Sequence, residues 1–158
     1  MPHPNLWVHD LSLVCRFEMA SSENRLMLHA SCVAYQGRGV LVLGRSGSGK
    51  SGLCLQLMGL GAGLVADDQT QLWQGKNCVM ADAPATIKGQ IEARGVGILN
   101  APAVGPVPVA LVVDMNALEK SRLPDQKEIT LLAQCLPLLH NPEMEHFPAA
   151  ILTYLGGM

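Results

Sequence analysis

The eight residues Gly44-Arg45-Ser46-Gly47-Ser48-Gly49-Lys50-Ser51 constrain this chain more than any other feature. They satisfy the pattern G-x-x-x-x-G-K-[ST]. A glycine-rich turn with an accidental Lys-Ser is the competing reading, but the flanking sequence argues against it. Val40–Leu43 is a short all-apolar run, as expected of a strand buried on both faces. After the loop, Leu53, Cys54, Leu57 and Met58 form one stripe of a helix that opens at Lys50. Glycines let backbone N–H groups turn toward a single anion, and the helix N-terminus adds its positive end. Lys50 supplies a point charge at the β/γ-phosphates, and the Ser51 hydroxyl is a hard oxygen ligand suited to Mg²⁺. Residues 44–51 are therefore expected to hold the phosphates of a nucleoside triphosphate.

Such a site also needs acids. Asp67-Asp68 closes the short strand Leu64–Ala66, 17 residues after Lys50. Adjacent carboxylates repel unless a cation or proton lies between them, so the pair can hold metal and act as a base. A solvated turn is the bland alternative, but strand ends beside a P-loop are where phosphates lie. His29 precedes the P-loop strand. If the two strands pair, it can lie near Asp67 and share a proton with a carboxylate. By position alone it is equally an ordinary sheet histidine. Glu92 and Arg94, in Ile91-Glu92-Ala93-Arg94-Gly95, offer a third acid and a stabiliser of phosphate charge, or else a surface salt pair.

Composition excludes several other classes. The chain has 158 residues, enough for one domain with a real core; 49% are hydrophobic and 15% charged, which excludes disorder for most of it. Lys+Arg 11 against Asp+Glu 13 leaves no basic field for nucleic acid and no polybasic segment for a membrane surface. Mean hydropathy is +0.24, yet no apolar run reaches the ~18 residues of a membrane span. The start, MPHPNLWVHD, lacks the pattern of a secretory signal. Cys15, Cys32, Cys54, Cys78 and Cys135 are odd in number and widely spaced, which reads as reduced thiols in a cytoplasmic protein, mostly packed as small apolar residues. The eight methionines read as core filler.

The rest of the chain gives a coarse outline. Leu28–Tyr35 reads as one strand, and Thr70–Trp73 with Asn77–Ala81 as a hairpin. Thr86–Ala93 reads as short helical or irregular, and Val107–Val113 as the longest apolar strand, ending at Asp114. Ala117–Lys127 is polar and reads as a loop, Glu128–Leu139 as strands split by Pro137, and Pro142–Leu155 as a terminal helix. His140 to His146 reads as the polar start of that helix and not as a metal site. Strands outnumber helices, which predicts a mixed-sheet α/β domain.

Taken in order, Leu28-His29-Ala30-Ser31, Gly39 to Ser51, Leu64-Val65-Ala66-Asp67-Asp68 and Ile91-Glu92-Ala93-Arg94-Gly95-Val96-Gly97-Ile98 resemble the catalytic domain of HPr kinase/phosphorylase in its short, single-domain form. The resemblance is clear over about residues 25–125, and it implies one P-loop domain over 1–158, related in fold to PEP carboxykinase, with strands and a helix over 128–158. It implies transfer of the γ-phosphoryl of ATP, with Mg²⁺, to a serine of an HPr-type phosphocarrier. By the same resemblance Gly44, Arg45, Ser46, Gly47, Ser48, Gly49, Lys50 and Ser51 bind nucleotide. Asp67 takes the serine proton, assisted by His29, with Arg94 among the catalytic residues. Ser51, Glu92 and Asp68 lie on the metal side, and Arg122 matches a loop arginine near the acceptor. Two departures stand out. Gly52 replaces a frequent acidic residue, and the arginine-rich segment used at subunit contacts and in phosphorolysis is not found, which leaves reversal by phosphate and a homo-oligomer open. The alternatives are an ATP-sensing module without transfer, or a kinase of this fold with another acceptor.

Overall fold

A computed structural model describes residues 25–158; the start of the chain and Cys15 lie outside the described residues. The strands are β1 (Arg25–Leu28), β2 (Ala30–Tyr35), β3 (Arg38–Leu43), β4 (Gly63–Ala66), β5 (Thr70–Gln74), β6 (Val79–Asp82), β7 (Gln90–Ala93), β8 (Gly97–Asn100), β9 (Val107–Leu118), β10 (Lys127–Leu131) and β11 (Gln134–Asn141). The helices are α1 (Lys50–Gly59) and α2 (Phe147–Gly156).

Nine strands form one mixed sheet with a path β1-β5-β6-β9-β3-β2-β4. Its centre is the parallel pair β3–β9, with Leu43 opposite Asp114. β9 is long enough to pair with β6 at Val107 and, further along, with β11 in parallel from Leu138↔Val112. β7 and β8 form a separate two-stranded hairpin.

The apolar run Val40–Leu43 of β3 is explained by the two cores it faces. Leu41 and Leu43 face one core with Leu26, Leu72, Ile129 and Leu138, while Val40 and Val42 face another with Leu53, Leu57 and Ile151. Helices α1 and α2 cover this second face, and the outer strands fold over the first. A strand flanked on both sides has no polar face to alternate with.

Several sequence expectations change. Leu28–Tyr35 is two strands: β1 pairs with β5, β2 with β3, and His29 sits in the break. Thr86–Ala93 begins as expected in a short helical turn, Ala85–Ile87, but ends in strand β7, whose partner β8 is wholly exposed. β9 runs past Asp114 to Leu118, so the polar connection shrinks to residues 119–126. The break in the 128–139 region falls at Leu132-Ala133, both at positive φ, and not at Pro137. Pro137 lies inside β11, one residue before the ladder with β9 begins, where its missing N–H costs little. The last helix starts at Phe147. Among the described residues no methionine is fully buried, and Met144 and Met158 are exposed.

Candidate active site

The loop between β3 and α1 closes on itself because three of its glycines, Gly44, Gly47 and Gly49, adopt backbone that other residues avoid. Gly44 has φ 156° and a Cβ there would run into Ser48 Oγ; Gly49, at φ 98°, turns the chain into α1. No side chain caps α1, so the N–H groups of its first turn are left for an anion. Together Ser46, Gly47, Gly49, Lys50, Ser51 and Gly52 line one wall of a cleft of about 380 Å³. Lys50 is buried, and its ammonium donates to the carbonyls of Gly44 (2.8 Å) and Arg45 (3.1 Å). Burial pulls its pKa below the ordinary lysine value, while the negative charges of Asp68 and Asp67 act against that.

The two aspartates occupy different surroundings. Asp67 is buried at 7% exposure. Its Oδ1 accepts from the hydroxyls of Ser51 (2.6 Å) and Ser31 (2.9 Å), and its Oδ2 from the backbone N–H of Glu92 (3.0 Å). These three bonds tie its carboxylate to β2, α1 and β7. Asp68 turns the other way, into the cleft. Its φ is 67°, a left-handed conformation costing an L-residue roughly 1 kcal/mol. Ser31 Oγ accepts its backbone N–H at 3.1 Å, which fixes that conformation.

His29 belongs to Asp68 and not to Asp67. Its Nδ1 lies 3.2 Å from Asp68 Oδ1, and its Nε2 lies 3.4 Å from Lys50 Nζ. A charged Lys50 can only donate, so in that contact Nε2 is the acceptor and Nδ1 is the nitrogen that faces Asp68. The side chains of this pair are 49% and 63% exposed, so the contact adds little stability; its value is in orienting the carboxylate. The expected meeting of His29 with Asp67 fails because His29 sits between β1 and β2, on the outer side of Ser31, which takes the place beside Asp67.

The third wall comes from the β7–β8 hairpin, which carries Glu92 and Arg94 into the cleft. Of the residues expected from sequence, the structure brings Lys50, Ser51, Asp68, Glu92 and Arg94 together at the cleft, with Asp67 and His29 directly behind. Arg122 lies in the exposed 119–126 connection and does not line it. Ser31 was not singled out from sequence, although a lone hydroxyl in the apolar run Ala30-Ser31-Cys32-Val33-Ala34 signals a buried polar group that must find partners.

Comparison with known proteins decides the family. The sequence model described as HPr Serine kinase C-terminal domain matches residues 19–123, more than half of the chain. The chain belongs to the HPr serine kinase C-terminal domain family. It is 41% identical over 101 residues to the HPr kinase/phosphorylase of Aromatoleum aromaticum, covering 63% of this chain and 31% of that protein. Against the HPr kinase/phosphorylase of Caldicellulosiruptor bescii it is 42% identical over 92 residues, covering 58% and 29%. The chain thus spans about a third of the length of these curated relatives. The solved structure of the Hpr(Ser) kinase/phosphatase from Coxiella burnetii superposes with a TM-score of 0.70 at 27% identity, covering 83% of this chain and 94% of that one. The mixed-sheet α/β architecture is accordingly that of an HPr kinase. No helix among the described residues is long and apolar enough to cross a membrane.

A cation fits this family site on the chemistry of its donors. Among the described residues no three His, Cys, Asp or Glu side chains are grouped to cage a metal. Ser51 gives its hydroxyl proton to Asp67 and keeps its lone pairs, and Asp68 and Glu92 reach the same cleft. One or two such oxygens, completed by water and phosphate, are what Mg²⁺ accepts.

Proposed function

We propose that the chain is an ATP-dependent protein serine kinase whose acceptor is an HPr-type phosphocarrier. The observation that carries this reading is the opposed setting of Asp67 and Asp68 beside the P-loop. Asp67 is buried and accepts from Ser51, Ser31 and the Glu92 N–H, whereas Asp68 is exposed, held in a costly conformation and oriented by His29. A module that merely sensed ATP would have no use for a poised proton acceptor, so the sensor reading is not favoured.

The roles follow from position. The P-loop amides and Lys50 bind the β- and γ-phosphates; the Lys50 ammonium has three donors, and the carbonyls of Gly44 and Arg45 hold it at the mouth of the loop. Asp68 accepts the proton of the incoming serine hydroxyl as its oxygen bonds to the γ-phosphorus and the bond to the β-phosphate oxygen breaks, giving phosphoserine and ADP. Arg94 faces the cleft where negative charge accumulates on the transferred group. Ser51 and Glu92, with Asp67 behind Ser51, would hold Mg²⁺, which supplies charge neutralisation between the phosphates. This exchanges the roles that the family resemblance implies for the two aspartates: Asp68 is the base, and Asp67 is on the metal side. The four described cysteines are free, and ATP chemistry of this kind belongs to the cytoplasm, where we place the protein.

The test is intact-mass measurement of an HPr-type carrier after incubation with the chain, ATP and Mg²⁺. One added phosphoryl group is expected, and none with Lys50→Ala. An unmodified carrier, with ATP binding demonstrated in the same preparation, would overturn the proposal. Addition of inorganic phosphate to the phosphorylated carrier then asks whether the reverse reaction is retained.

A further inference from the structure

We propose that Asn116 is a positioning residue that clamps the P-loop in its phosphate-binding shape, a role that rests on the nucleotide-binding reading above. The starting observation is an irregularity in β9. Asp114 pairs with His140 of β11, and the next pair is Leu118 with Asn141. Met115, Asn116 and Ala117 are therefore additional residues on β9 that β11 does not match. Bulges of this kind lift side chains out of the ladder and re-aim them, often beside functional sites.

Here the bulge is aimed at the P-loop. Met115 fits under it: an added Cβ on Gly44 would meet Met115 Cβ at 3.1 Å, and one on Gly49 would meet Met115 Cε at 3.5 Å. Asn116 Oδ1 accepts the backbone N–H of Arg45 at 3.0 Å. The other face of that same residue, its carbonyl, accepts from Lys50 Nζ and from the N–H of Ser48. Arg45 is thus gripped from outside the loop by Asn116 and from inside by the residues that bind phosphate. The bulge is fixed in turn by Asp114, which is buried and accepts the N–H of Asn116 at 2.9 Å. Without Asn116 the first limb of the loop would have no side-chain tie to the sheet among the described residues, and nucleotide binding would have to order it. The Nδ2 atom of Asn116 is buried without a partner, so the amide's grip is exerted through its oxygen alone.

The test compares Asn116→Ala, which loses the acceptor, with Asn116→Asp, which keeps one. Affinity for Mg-ATP is measured by calorimetric titration, and the thermal midpoint is recorded for each chain. The clamp predicts a Kd raised roughly 3- to 10-fold in Asn116→Ala, the worth of one hydrogen bond, with binding by Asn116→Asp tighter than by Asn116→Ala. A carboxylate weaker than alanine, or alanine equal to the parent, would overturn it. Backbone amide exchange in the unsubstituted chain gives an answer that does not depend on a variant folding. The Arg45 amide should exchange more slowly than those of Ser46 and Gly47; equal rates would contradict the clamp. If the parent chain fails to bind Mg-ATP at all, the nucleotide reading falls, while the Arg45 exchange still judges the clamp.

Discussion

Cys32 and Cys54 show how far burial sets the chemistry of a single side chain. Both are fully buried; burial, with Asp82 adding, pushes the Cys32 thiol up to about 12, and burial raises Cys54 well above the ordinary thiol value. Thiolate is the reactive form, so neither should react while the fold is intact. Alkylation with iodoacetamide at pH 8, read by peptide mapping, should leave Cys32 and Cys54 unmodified and modify Cys78; rapid labelling of Cys54 would show that α1 does not pack as described. The glycine-rich turn over residues 44–51 was legible because its positive-φ backbone needs glycine at fixed local positions. The division between Asp67 and Asp68 was not, because it depends on a hydroxyl 36 residues away, Ser31, reaching Asp67 Oδ1 at 2.9 Å while its oxygen also fixes the Asp68 N–H. No local pattern carries that information.

At the level of elements, the legible parts were those with strong periodicity or unmistakable turns. β3, α1 and the β5–β6 hairpin follow from their own sequences. β7–β8 did not, because Gly97-Ile98-Leu99-Asn100 is exposed on a two-stranded sheet and shows no apolar alternation. Pro137 carries the recognised breaker signal in the 128–139 region, whereas the turn between β10 and β11 uses Leu132 (φ 46°) and Ala133 (φ 64°). Two positive φ values in a two-residue hairpin turn suit Asn-Gly far better than Leu-Ala. Combined Leu132→Asn and Ala133→Gly substitution should therefore raise stability by about 0.5–1 kcal/mol in chemical denaturation. Leu132 packs partly against the core, which sets the upper limit of that gain. A loss of more than ~1 kcal/mol would show that this packing, and not the turn conformation, decides the site.

Across the whole molecule, the polar ends of β3, β9 and β11 converge behind the P-loop, and one consequence is pH dependence. Burial pulls the His140 imidazole below its ordinary 6.5, helped by Lys127 and opposed by Asp114 and Glu119. A depressed pKa means that the unfolded chain binds the proton first. The contribution is fully present above about 6.5 and is lost as pH falls through the lower folded value. Burial raises Asp114 above 3.8, so its contribution runs oppositely, present at low pH and lost as pH rises through the raised value. Stability should therefore fall between pH 7 and pH 5.5, and His140→Gln should flatten that fall; an unchanged slope in the variant would remove His140 as the cause.

The same convergence brings the turn after β3 and the start of α1 to the cleft, while β2 and β4 give two adjacent carboxylates different surroundings. The most direct test measures Mg-ATP affinity and phosphoserine formation side by side in Asp67→Asn and Asp68→Asn. Asp68→Asn should bind Mg-ATP within about threefold of the parent and lose transfer by roughly 10²- to 10⁴-fold, as expected for removal of a base. Asp67→Asn should loosen Mg-ATP itself, because an amide keeps one acceptor oxygen and sets its NH₂ against either the Glu92 N–H or the hydroxyls of Ser51 and Ser31, disturbing Ser51. Parent-like transfer by Asp68→Asn, with Asp67→Asn retaining nucleotide but not transfer, would contradict the assignment and return the base to Asp67.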